Sequence, residues 1–159
     1  MIPKNRLFHA LPRAAVAGLI SLALPWSTAQ SQTVNAAAKY QQECAACHMA
    51  YPPGMLPQAS WKRILGHLNK HFGTDASLDE ASLRELSIWL PANADTFRKV
   101  HETPPQDRIT QSRWFIRQHD EVPSATWKRV AIGSAANCLA CHSGAAKGNF
   151  NEDDVRIPK

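Results

Sequence analysis

The chain has 159 residues, with 18 Lys and Arg against 13 Asp and Glu, seven histidines and four cysteines. Its formal charge of +5 is spread over bases scattered among acids rather than gathered in runs, which gives no support to a nucleic-acid partner. The length suits one compact unit or two small lobes.

The first predicted element is an export signal. Lys4, Arg6 and Arg13 precede the uncharged run Ala14 to Leu24, and Pro25 and the small residues Ser27-Thr28-Ala29 follow. A membrane-spanning helix needs about 20 apolar residues, and this run supplies 11 before its proline, so a retained anchor is the weaker reading. Cleavage after Ala29 makes residues 1–29 a signal peptide and leaves 159 less 29, or 130, residues. It removes three bases and no acid, leaving 15 bases against 13 acids. The expected location is the periplasm, with no membrane span after cleavage.

A helix is predicted from about Val34 into Cys44-Ala45-Ala46-Cys47-His48, and a Pro-rich turn, Tyr51-Pro52-Pro53-Gly54, comes next. From Ser60 to Phe72 the apolar residues Trp61, Ile64, Leu65, Leu68 and Phe72 keep helical spacing until Gly73. On that helix His71 flanks the apolar stripe, while His67 falls nearer to solvent. Ser77-Leu78-Asp79-Glu80 matches a capping box and introduces a helix carrying Leu83, Leu86 and Leu90, with Pro91 as its end. Lys99 to Pro105 reads as a connecting loop in which His101 is solvent-exposed. A short helix starts near Thr110 and is stopped by Pro123, with His119 on the face of Phe115 and Ile116. Cys138-Leu139-Ala140-Cys141-His142 lies beyond it. No alternating strand pattern of useful length is present.

All four cysteines therefore fall in two Cys-x-x-Cys-His segments, each of which attaches one c-type haem. Two thiols three positions apart reach the two vinyl groups of one porphyrin, and the adjacent histidine reaches the iron. Zinc ribbons separate their Cys pairs by about 15–20 residues, whereas 90 residues lie between Cys47 and Cys138. Neither zinc nor disulfides give a reason for the histidine after each pair. The cofactor-binding residues are thus Cys44, Cys47 and His48, and Cys138, Cys141 and His142, for two covalently bound haem c groups. The fold expected is all-α and haem-nucleated, a c-type cytochrome with two small haem-binding lobes, residues 30–103 and 104–159.

The second axial position decides between a closed electron carrier and an open, reactive haem. Beyond Met1 the only methionines are Met49 and Met55, so a second haem with Met/His ligation needs one of them to cross over. His67, His71, His101 and His119 supply four candidates for two positions, with His71 and His119 preferred as iron ligands. The sequence leaves open which of those two serves which haem.

Cys44 to His48 with Ala50-Tyr51-Pro52-Pro53-Gly54, then Ser60-Trp61 and His71-Phe72-Gly73, resembles the bacterial dihaem cytochrome c family. Arg108-Ile109-Thr110, Trp114-Phe115, His119, Cys138 to His142, Gly144-Ala145, Lys147-Gly148 and Phe150 are similar to that family's closing segment. The resemblance implies two low-spin bis-histidine haems in two lobes, His71 and His119 among the ligands, and a periplasmic electron carrier rather than an enzyme. It also implies redox protein partners, either a small oxygen-binding monohaem cytochrome or a membrane-linked cytochrome. The competing function is a haem enzyme or a gas or peroxide sensor with one open or exchangeable haem site.

Overall fold

A computed structural model describes residues 28–100 and 102–159. The export signal up to residue 27 and His101 lie outside the described residues.

Helix α1, Thr28–Cys44, begins before the expected Val34 and ends on the first cysteine of the first motif. Its Ala36-Ala37-Ala38 centre favours helix, and Ala36 and Tyr40, one turn apart, are both buried. Pro52 and Pro53 cannot extend a helix, and the chain turns through a 3-10 segment, Pro53–Met55. Helix α2, Gln58–Leu65, is shorter than the periodicity predicts. Gly66 caps it, donating its amide to the Lys62 carbonyl at 3.1 Å, and glycine disfavours helix by about 1 kcal/mol relative to alanine. The chain then makes a separate 3-10 turn, Leu68–Lys70, so His71 is not on this helix.

Helix α3, Glu80–Ala92, is capped by Asp79, whose carboxylate accepts from the amides of Ala81 and Ser82 at 2.9 and 3.0 Å. The predicted capping box does not form, because Ser77 is engaged by Asp75 instead. Pro91 sits inside the last turn of α3 rather than ending it, and having no N–H it leaves the Ser87 carbonyl without its usual helical donor. Helix α4, Arg113–Gln118, starts later than Thr110, which belongs to a 3-10 turn, Ile109–Gln111. Ser112 caps α4 by accepting from the Phe115 amide at 3.2 Å while donating to the Ile109 carbonyl at 2.7 Å. The helix ends at Gln118, well before Pro123, with His119 in the capping position.

The all-α expectation holds: among the described residues no strand forms, and the isolated bridge His71 to Thr74 is the nearest approach to one. Helices α1 and α2 pack on α3 around Tyr40, Leu56, Trp61, Leu65, Leu86 and Leu90. A second cluster joins Met55 and Val100 to Trp114 and Phe115, so residues before position 103 help to build the core of the second half of the chain. Arg63 on α2 also reaches across, donating to both carboxylate oxygens of Asp107 at 2.9 and 2.6 Å.

Candidate functional site

Cys44 closes α1, and Cys47 and His48 follow in an exposed turn. The His48 Nδ1–H donates to the Met49 carbonyl at 2.7 Å, which leaves Nε2 as the free ring nitrogen. Tyr51 stacks on this ring at 4.8 Å and 26°. The ring of His71 lies 6.2 Å from that of His48, at an interplanar angle of 22°. The helical-face argument for His71 thus fails, since α2 ends six residues earlier, yet the chain delivers His71 beside the first motif. Phe72 and Gly73, with φ of 48° and 100°, reverse the chain just after it, and the Arg108 guanidinium sits 4.3 Å over the Phe72 ring. Burial, then His48 and Arg108, hold the His71 imidazole below its ordinary pKa, in the neutral form that ligates metals. His67 is exposed, but it lies beyond the end of α2, so the helical pattern is not what places it.

The second motif forms a 3-10 turn, Cys138–Ala140, from which Cys141 and His142 continue. His119 faces it from the end of α4, its Nδ1–H donating to the Phe115 carbonyl at 2.9 Å and its ring stacked on Phe115 at 4.1 Å. The rings of His119 and His142 are 6.1 Å apart at 80°. Burial, then His119, lowers the His142 pKa, and its Nδ1 is buried without a partner. Around this pair runs a cleft of about 990 Å³, mouth included, walled by Met55, Trp114, Trp127 and Phe150 together with Cys138 and Cys141. Met55 reaches this cleft from the first half of the chain, a crossing that its sequence position does not announce. Tyr51, which the sequence places only in a Pro-rich turn after the first motif, also reaches the second one. Its hydroxyl donates to the Ala136 carbonyl at 2.7 Å, beside the second motif, and burial, then Cys138, pushes its phenol up to about 12.

These residues fit two haems. An iron bonded at roughly 2 Å to one nitrogen of each of two imidazoles holds the ring centres about 6 Å apart, which is the separation of both pairs. The four thiols form no disulfide. Burial raises those of Cys44, to about 11, and of Cys138 and Cys141, so they are protonated rather than anionic. No three His, Cys, Asp or Glu side chains converge among the described residues, as a zinc tetrahedron would require.

Residues 40–150 match the family described as dihaem cytochrome c. Solved structures agree. The chain is 38% identical to a dihaem cytochrome c of Shewanella baltica, with a TM-score of 0.68, covering 77% of this chain and 94% of that one. Two structures of the Rhodobacter sphaeroides dihaem cytochrome c are 44% and 41% identical, with TM-scores of 0.62 and 0.63. Each covers 71% of this chain, and 96% and 95% of the Rhodobacter chains respectively. A comparison with curated protein sequences gave no match. The chain belongs to the dihaem cytochrome c family and carries two covalently bound haem c groups.

Proposed function

We propose that this protein is a periplasmic electron carrier with two low-spin bis-histidine haems, in two lobes spanning residues 30–103 and 104–159. Cys44 and Cys47 anchor the first haem, with His48 and His71 on its iron. Cys138 and Cys141 anchor the second, with His142 and His119. The observation that carries this reading is the pair of facing histidines at each motif, 6.2 Å apart at the first and 6.1 Å at the second. A bound haem supplies an iron that takes up or releases one electron, at a lower potential with two histidines than with methionine and histidine. The chain supplies orientation: the Met49 and Phe115 carbonyls hold His48 and His119 by their Nδ1–H groups, which fixes each tautomer and one edge of each ring. With two histidines available to each haem, the protein would act as a carrier rather than an enzyme, and it would meet redox proteins through small transient contacts. The partners proposed are a small oxygen-binding monohaem cytochrome or a membrane-linked cytochrome. No helix among the described residues is long and apolar enough to cross a membrane, and the basic, apolar, small-residue order of residues 4–29 supports export.

Absorption and low-temperature electron paramagnetic resonance spectra of the oxidised protein, followed by carbon monoxide after reduction, test this. Two low-spin haems that ignore carbon monoxide are expected, with one of the two turning high-spin and binding carbon monoxide in His71→Ala and the other in His119→Ala. Carbon monoxide binding by the unmodified protein would sink the reading in favour of a haem enzyme or sensor. A methionine–iron charge-transfer band would replace His119 with Met55, which lines the same cleft.

A further inference from the structure

Tyr51 touches both sites and belongs to neither ligand set. Its ring covers one face of His48, with centroids 4.8 Å apart. Its hydroxyl donates to the Ala136 carbonyl at 2.7 Å across 85 positions of sequence, two residues before Cys138. Its own carbonyl accepts from the Tyr40 hydroxyl at 2.7 Å, and Tyr40 is wedged between Trp61 and Trp89 in the helical core. One residue is thus tied at three points: to the core, to an axial histidine and to the other cysteine segment. We propose that Tyr51 is a positioning residue that sets the ring plane of His48 and fixes the second haem-binding segment relative to the first, so that electron exchange between the haems depends on it.

The Nδ1 bond to Met49 locates one edge of the His48 imidazole but leaves tilt about that edge, and a ring stacked on its face removes that freedom. The hydroxyl bond ties the Ala136 carbonyl, two residues before Cys138, to the same side chain. Electron exchange falls steeply with separation and with breaks in the bonded path, so loosening this contact affects the rate before it affects either haem alone. The inference rests on the proposed bis-histidine ligation.

Two variants of the full holoprotein separate its parts. Tyr51→Phe keeps the stacked ring and removes the hydroxyl. Amide hydrogen exchange over residues 134–142 should then rise roughly two- to tenfold, the effect of losing one ordinary hydrogen bond, and the inter-haem electron-exchange rate should drop at least twofold. Both low-spin resonances should stay in place. Tyr51→Leu removes the ring as well, and the resonance of the first haem should shift while that of the second holds. Unchanged hydrogen exchange and electron-exchange rate in Tyr51→Phe would overturn the proposal, as would an unmoved first resonance in Tyr51→Leu. Failure of the underlying ligation shows separately, as a high-spin or carbon monoxide-binding haem in the unmodified protein.

Discussion

Around His48 and His71 three helices pack on one another, and Leu86 and Leu90 between them are 0% and 1% exposed. Around His119 and His142 the chain beyond α4 makes only 3-10 turns, and its large apolar side chains, Trp127 and Phe150 among them, line an open cleft. The histidine pairs are nearly equal in spacing, but their scaffolds are not. The first is held by helices with a core of their own, whereas the second has a smaller core, Phe115 and Ile132 among it, and is expected to lean more on its haem.

The sharpest break in that comparison comes from removing one attachment site at a time. The double variant Cys138→Ser, Cys141→Ser should lose slow hydrogen exchange across residues 119–159, while Cys44→Ser, Cys47→Ser should keep the helical circular dichroism of α1 to α3. Equal damage from the two would mean that the helical core also depends on its haem. Next in size, Leu86→Ala should lower stability by about 2–5 kcal/mol, as for a fully buried leucine, with the denaturant midpoint as the measure. Ser112→Ala removes the cap of the six-residue helix that presents His119 and should cost about 1 kcal/mol. That loss should be accompanied by carbon monoxide binding at the second haem before the first.

The smallest effect concerns the link between the halves. The Arg63 hydrogen bonds hold the Asp107 carboxyl below its ordinary pKa of 3.8. A carboxyl with a depressed folded-state pKa contributes stability above its unfolded value and loses it as pH falls through the folded one. Asp107→Asn should therefore lower the melting temperature at neutral pH by a few degrees at most, since the arginine is half-exposed. It should also flatten the acid limb below about pH 4.

The haem chemistry was legible because it is local: two thiols and a histidine within five positions need no tertiary information. The place of His119 beside the second motif was legible for a related reason, since one helical turn aligns it with Phe115, although Ile116 on the predicted face is exposed. His71 was selected by a helix that ends at Leu65; what delivers it to His48 is a 3-10 turn and a chain reversal, which periodicity does not encode. Pairing was beyond local reading as well. His71 follows His48 by 23 positions and His119 precedes His142 by 23, so the two sites use the same span in opposite order. The Tyr51 contact with Ala136, 85 positions away, and the Met55 crossing are long-range packing outcomes of the same kind.

Phe72 carries one more consequence. At φ 48° and 44% exposed, it occupies a backbone region that costs a bulky residue roughly 1–2 kcal/mol and that glycine enters freely. Its ring is nevertheless what seats Arg108 beside His71. Replacing it with glycine would relieve that backbone cost while giving up a half-buried ring and its contact with Arg108. The same choice would free the loop behind the histidine, so backbone ease and redox geometry pull this position in opposite directions.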